Sequence, residues 1–412
     1  MFQPVRGTRD LLPDVCHKFR TMMKAANSVL HSYGYEEIET PIFEFAPVFR
    51  HMGETSDVVT KETYTFMDRG EQEITLRPEG TAGVVRAVIS NSLTQEIPLK
   101  YYYQGPMFRY ERPQKGRYRQ FYQLGAELIG VQQSLADIEV IAMCHQILQA
   151  LKLEGDVVLE LNSLGDTESR DAYRSALVEY LTDYRDSLSE DSLRRLAANP
   201  LRILDSKDEG DIKIVENAPI YRDHLNAASE DFFASVLKGL DALDIKYDLN
   251  YRIVRGLDYY CHTTFEFTSN ALGSQGAICA GGRYDGLVQQ LGGPPMPGVG
   301  WAAGIDRLLL LSQLEGVKQR PITLVPLGEQ AEEKAIVLSY QLRQQGHIID
   351  LGYSGNMTKR LKRANKQNAQ LAIIFGDDEL AAGQVSVRNL DNGEQQMVSI
   401  DAVGHYIREL NK

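Results

Sequence analysis

Apolar residues recur at helical spacing over residues 14–33, where Val15, Phe19, Met22, Ala26, Val29 and Leu30 share a face. This predicts an amphipathic helix with Asp14 as N-cap and Gly34 as its stop. Residues 35–43 are broken by Pro41 and read as an extended segment suited to a sheet edge or an interface strand. Strand-like runs follow at 64–68, 73–77, 99–109 and 120–129, with a helical stretch at 81–89. Residues 137–151 place Ile138, Ile141, His145, Leu148 and Leu151 on one stripe, which makes His145 a core or boundary residue of a helix. After a short strand at 157–161, residues 168–199 turn polar, charged and helical, and read as a small helical insertion ending near Asp223. Strand patterns return at 247–254 and 263–268. A glycine-rich stretch, 273–304, then leads into an apolar helix at 305–314.

From Pro321 the pattern changes again. Strands at 322–326, 347–351 and 371–375 alternate with helices at 330–345 and 358–367, the latter basic, and a hairpin at 385–400 turns on Asn392-Gly393. That alternation predicts a separate α/β domain of about 90 residues. The division expected is 1–320, with the insertion at about 166–226, and 321–412.

Composition adds limits. The 412 residues are 43% hydrophobic and 24% charged, ordinary for a soluble globular chain of two or three domains. No apolar run is long enough to span a bilayer, and the N-terminus lacks a signal-peptide core, so no membrane association and a cytoplasmic location are expected. Cys16, Cys144, Cys261 and Cys279 are few and scattered, which suits free thiols in a reducing compartment. The net charge of −12 argues against a protein that coats nucleic acid. Two local clusters, Arg109 to Arg119 and Lys359 to Lys366, fit contact with a polyanion at defined places, although the second also fits a solvated helix face.

Candidate chemistry sits in three places. Two strands joined by a basic loop would set Arg109, Glu111 and Phe121 side by side: a guanidinium for phosphate, a carboxylate for an amine or Mg2+, and a platform for a base. The run Gly298-Val-Gly300-Trp-Ala-Ala-Gly304-Ile-Asp306-Arg307 permits close backbone approach, with Arg307 opening a helix. Third, Arg255-Gly-Leu-Asp-Tyr-Tyr260 offers a guanidinium fork and two adjacent phenols. Alone, that segment also fits a charged turn closing a core strand.

Segments 34–43, 108–127 and 298–308 together resemble the three motifs of class II aminoacyl-tRNA synthetases. Arg255-Gly-Leu-Asp-Tyr-Tyr260, Ala280-Gly-Gly-Arg-Tyr-Asp-Gly-Leu287, Arg77-Pro-Glu79-Gly-Thr81 and residues 111–121 resemble signature peptides of the histidyl-tRNA synthetase family, compact bacterial type. The resemblance covers essentially the whole chain. It implies an α+β fold: a class II antiparallel sheet with flanking helices, a helical insertion and a C-terminal α/β anticodon-binding domain. It implies a histidine–tRNA ligase that forms histidyl-adenylate from L-histidine and ATP and passes histidine to tRNA(His). Partners implied are tRNA(His) and a second copy in a homodimer. Mg2+ would accompany ATP, and no protein-held metal, zinc included, is expected.

Site roles follow from the resemblance. Glu79, Gly80, Thr81 and Gln123 would surround the α-ammonium of histidine. Glu127 and Tyr260 would bind the imidazole nitrogens, with Tyr259 closing the pocket. Arg109, Glu111, Arg117, Tyr118, Phe121 and Arg307 would bind ATP. Arg255 and Arg109 would be catalytic, Arg255 lying between the carboxylate and the α-phosphate. Arg112, Gln114, Lys115 and Arg119 would approach the tRNA acceptor end, and Lys359, Arg360 and Arg363 the anticodon side. Cys261-His262 stands where the family commonly has Asn-Arg, and Trp301 where Phe is usual; neither replaces an expected ligand. The alternatives are a catalytically silent, synthetase-like regulatory subunit of histidine biosynthesis, and a class IIa synthetase for another amino acid.

Overall fold

The computed structural model describes residues 2–50, 59, 61–153, 157–204, 206–253, 259–272 and 276–410. The chain divides into two compact units, Met1–Gly316 and Val317–Lys412.

In the first unit the described strands are β1 (Glu36–Glu37), β2 (Phe43–Phe45), β3 (Tyr64–Met67), β4 (Glu73–Leu76), β5 (Leu99–Phe108), β6 (Gln120–Ile129), β7 (Val157–Ser163), β8 (Asp248–Leu249), β9 (Cys261–Ser269), β10 (Ala277–Arg283) and β11 (Gly298–Gly304). Among them, eight form one sheet in the order β1-β5-β6-β11-β10-β9-β7-β8. Its interior pairs are antiparallel, and only the edge pairs β1–β5 and β7–β8 are parallel. Three further strands form a second sheet in the order β2-β4-β3.

One face of the large sheet carries the main core. Leu124, Leu161, Phe265 and Trp301 pack there with Met22, Ala26, Val140, Ile147 and Val236 from three helices, Pro13–Ser32, Ser134–Ala150 and Ala227–Ala242. The first helix starts two residues earlier than the expected cap at Asp14 implies. Leu12 is its N-cap and Pro13 its first residue, with φ already set for a helix, while Asp14 falls in the first turn, where its charge suits the helix dipole. His145 is half-buried and stacks on Phe267, a boundary position.

Two sequence expectations needed revision. The strand expected at 247–254 shrinks to Asp248–Leu249, because residues 251–252 turn; Val254 lies outside the described residues. The glycine-rich stretch holds two central strands, β10 and β11. Cys144 and Cys279, distant in sequence, meet in the core with Sγ atoms 2.8 Å apart as free thiols.

The insertion is closed at its neck. Asp166 caps the helix Thr167–Asp183 and Asn226 caps Ala227–Ala242, and Asn226 Nδ2 donates to Asp166 Oδ2 at 2.8 Å. Between them, buried Asp211 accepts from Ser189, Ser192 and Ser206 hydroxyls at 2.6–2.7 Å, which gives the insertion a polar core of its own.

In the second unit, β12 (Ile322–Leu327), β13 (Ile349–Leu351), β14 (Leu371–Gly376), β15 (Gln384–Asn389) and β16 (Gln395–Ser399) form a sheet in the order β13-β12-β14-β15-β16. The first three run parallel and the last two extend it antiparallel. Its core, with Leu324, Leu338, Ile373, Phe375 and Ile407, belongs to this unit alone.

Candidate active site

The second face of the large sheet carries a cleft. Strand alternation explains which residues reach it. On β6, Leu124, Ala126 and Leu128 enter the helical core, which leaves Phe121, Gln123 and Glu127 on the opposite face. Cross-strand registers then set Ala302 and Ala280 beside Gly125, Gly300 and Gly282 beside Glu127, and Gly304 beside Gln123. The sheet is therefore paved with small residues where the cleft opens, and Ala280, Ala302 and Gly304 line it. A Cβ at Gly300 would strike the Glu127 carboxylate, and one at Gly282 would press on Tyr260 at 2.9 Å. Both glycines let a functional side chain lie flat across the sheet.

One end of the cleft collects acceptors. Glu79 is buried at the start of the helix Thr81–Ser90, and its carboxylate takes the Thr81 and Ala82 amides, each at 2.8 Å. Those amides are first-turn groups that the helix leaves unpaired. Glu127, fully buried, accepts from Thr81 Oγ1 at 2.7 Å and Tyr284 OH at 2.6 Å. Burial pushes Glu127 up to about 8, against the opposing hydrogen bonds from Tyr284 and Thr81. Burial likewise raises Glu79, against the Ala82 and Thr81 bonds. Because Thr81 spends its proton on Glu127, its remaining lone pairs can only accept. Gln123 Oε1 is buried without a hydrogen-bond partner. Tyr259 and Tyr260 line the same region with ring centroids 4.6 Å apart.

The other end collects cations. Arg109 donates to the Pro78 carbonyl at 2.9 Å, lies 5.4 Å from the Phe121 ring and sits 3.9 Å from Glu111. Arg117 pairs with Glu111 at 2.9 Å. Arg307 donates to the Ala277 carbonyl, and burial followed by the Arg117 charge lowers its pKa from the ordinary value. Three guanidiniums thus crowd one carboxylate, an arrangement suited to a polyanion.

The expected residues Glu79, Thr81, Arg109, Glu111, Arg117, Tyr118, Phe121, Gln123, Tyr259, Tyr260 and Arg307 all line this cleft. Gly80 lies behind it, where a Cβ would collide with the Tyr103 ring. Glu127 stands just beneath, through Thr81. Arg255 lies outside the described residues. On the loop between β5 and β6, Arg112, Gln114 and Lys115 are exposed, whereas Arg119 stacks 3.9 Å from the Tyr110 ring. In the second unit, Lys359 and Arg363 are exposed. Arg360 is not: only 4% accessible, it donates to the Pro326 carbonyl and pairs with Glu332 at 2.6 Å. This corrects its expected place on the RNA-facing side, since its charge holds the helix Met357–Lys366 onto β12.

Sequence reasoning missed several positioning groups. Tyr284 lies inside a quoted signature peptide, yet only the fold aims its hydroxyl at Glu127. Asp306, buried, accepts from Arg9 at 2.6 Å and from the Tyr122 amide at 2.9 Å. Arg9 also lies 4.5 Å from the Tyr118 ring, and Gly7 O accepts from the Arg119 amide at 2.7 Å. The N-terminal segment therefore straps the loop between β5 and β6. Among the described residues, no group of three or more His, Cys, Asp or Glu side chains converges as a metal site.

The chain resembles known proteins along its length. A family model described as histidyl-tRNA synthetase matches residues 7–308, and one described as anticodon binding domain matches residues 322–410. Histidine–tRNA ligase of Rhodospirillum rubrum is 56% identical, the match covering 98% of this chain and 98% of its own. That of Gluconobacter oxydans is 52% identical over 97% and 96%. The crystal structure of apo S. aureus histidyl-tRNA synthetase aligns with a TM-score of 0.84 at 35% identity, covering 98% of this chain and 99% of that one.

Proposed function

The chain belongs to the histidyl-tRNA synthetase family, and we propose how its cleft performs the reaction that membership brings: ATP-dependent activation of histidine and its transfer to tRNA(His). The observation that carries the assignment of roles is the polarity of the cleft, with acceptors at one end and three arginines at the other.

Glu79, Thr81 and Gln123 hold the α-ammonium. All three present lone pairs, and the unpartnered Gln123 oxygen supports this role. Glu127 and Tyr260 take one imidazole nitrogen each, and Tyr259 closes the pocket. A site that satisfies both nitrogens rejects side chains lacking them by large factors. Arg109, Arg117 and Arg307 grip the phosphates, Glu111 and Tyr118 flank the nucleotide, and Phe121 stacks on adenine. Mg2+ enters with ATP as part of the substrate.

Histidine's carboxylate attacks the α-phosphorus in line and pyrophosphate leaves, forming histidyl-adenylate. A ribose hydroxyl at the tRNA terminus then takes the histidyl group and AMP leaves. Catalysis is positioning and charge stabilisation, without a covalent enzyme intermediate. Arg255 bridges carboxylate and α-phosphate; its support is the signature segment, which leads within four residues to Tyr259 in the cleft.

Residues 1–320 form the catalytic domain and 321–412 the anticodon-binding domain. Arg112, Gln114, Lys115 and Arg119 approach the acceptor end, and Lys359 and Arg363 the anticodon side. The enzyme works as a cytoplasmic homodimer. The sheet β2-β4-β3 supports the dimer: its registers align Phe45, Ile74 and Phe66, and Phe43, Phe45 and Phe66 are exposed. The regulatory-subunit alternative is not favoured. Relatives at 47–56% identity over nearly the whole chain are named histidine–tRNA ligase. The likeness to an ATP phosphoribosyltransferase regulatory subunit/histidyl-tRNA synthetase from Bacillus halodurans, at 23% identity, shows the fold alone.

Pyrophosphate exchange tests the reading. Histidine alone among the amino acids should drive it, and Gln123→Leu should raise the histidine KM about tenfold or more, the worth of a hydrogen bond to a charged group, while sparing the ATP KM. Exchange with another amino acid, or an unchanged histidine KM, would contradict it.

A further inference from the structure

We propose that Tyr353 is a stacking platform for an unpaired base of the tRNA anticodon loop, held in place by Arg363. The proposal rests on the reading of the second unit as the anticodon-binding side and adds the residue that engages a base.

Tyr353 is 73% exposed, a large aromatic surface left open to solvent. It lies two residues beyond β13, after Gly352, at the carboxyl edge of the parallel strands β13, β12 and β14. Open α/β sheets bind ligands beyond that edge. Arg363, on the basic helix Met357–Lys366, lies 5.4 Å from the Tyr353 ring and is fixed by Asp350 at 3.0 Å. The guanidinium occupies one face of the ring, and the high exposure leaves the rest to solvent. Lys359, Lys362 and Lys366, all exposed, add positive charge along the helix that carries Arg363. An exposed aromatic face beside a cationic helix is the chemistry that holds single-stranded nucleic acid: charge follows the backbone and the ring stacks on a base. Duplex RNA offers no such free face, so the unpaired loop is the matching part of the substrate.

The test uses the full-length enzyme with two substrates, tRNA(His) and an acceptor-stem minihelix without the anticodon loop. Stacking is worth roughly 1–3 kcal/mol per base, so Tyr353→Ala should raise the tRNA(His) KM about tenfold. Minihelix charging and pyrophosphate exchange should stay at wild-type values. Tyr353→Phe and Tyr353→Trp should retain the wild-type KM, because they keep a ring. An unchanged KM in Tyr353→Ala, or equal loss on both substrates, overturns the proposal. Lys359→Glu separates the two levels. If it weakens tRNA(His) but not the minihelix while Tyr353→Ala does neither, stacking alone falls. If neither variant distinguishes the substrates, the anticodon-side reading falls with it.

Discussion

Glu127 concentrates the tension of the cleft in one side chain. A carboxyl sealed from water resists ionisation, and the donors Thr81 and Tyr284 only partly offset that burial. Its folded pKa, about 8, exceeds the ordinary value of 4.5. The folded state therefore holds this proton more tightly than the unfolded chain. The stabilisation is complete below pH 4.5 and disappears as pH rises through about 8. Without ligand, the Tm of wild type should fall relative to Glu127→Gln across that window, as measured by scanning calorimetry; parallel curves would refute the shift. In the same variant the histidine KM should rise. The sequence marked Glu127 through its family motif, but its donors come from other elements, Thr81 from a helix start and Tyr284 from just after β10. Nothing local in the chain links residues 127 and 284; only the pairing of β6, β11 and β10 does so.

At the scale of elements, the N-terminal strap is the least expected part of the site. Gly7, Arg9 and Asp306 belong to segments about 300 residues apart in the chain, yet they brace the loop that carries Arg117 and Tyr118. Arg9→Ala should raise the ATP KM about fivefold, in line with roughly 1 kcal/mol for a partly exposed charge-assisted bond. Arg9→Lys should restore part of that loss, and the histidine KM should change little. An ATP KM equal to wild type would show that the loop holds itself. Periodicity exposed the long helices and β5, β6, β12 and β14, where one face is uniformly apolar. It failed at β10 and β11 for a physical reason. Glycine lowers strand propensity, yet Gly281, Gly282 and Gly300 are required there because neighbouring side chains and backbone occupy the space that a Cβ would need.

For the whole molecule, the division after Gly316 leaves each unit with a hydrophobic core of its own. A chain ending at Gly316 should fold, retain histidine-dependent pyrophosphate exchange within about twofold, and lose efficiency on tRNA(His) by tenfold or more, as removal of a basic RNA-binding surface implies. Loss of exchange would show instead that the first unit depends on the second. The sequence signal for a separate unit was the pattern of the chain, since the α/β alternation after Pro321 differs from what precedes it. The closed neck of the insertion was not, because Asp166 and Asn226 are ordinary capping residues until the fold brings them together.

The pavement of alanines and glycines beneath the cleft has a corollary for discrimination. Strands β6, β11 and β10 are each paired on both edges, so most of their amides and carbonyls are engaged within the sheet, and the floor of small side chains they offer has little hydrogen-bonding capacity. It measures only thickness. A histidine analogue bearing an extra methyl on its lower side meets a wall that cannot yield or compensate, whereas one altered at a polar rim atom meets groups that can rearrange or recruit water. Selection by bulk and selection by hydrogen bonding are thereby assigned to perpendicular directions of one cavity.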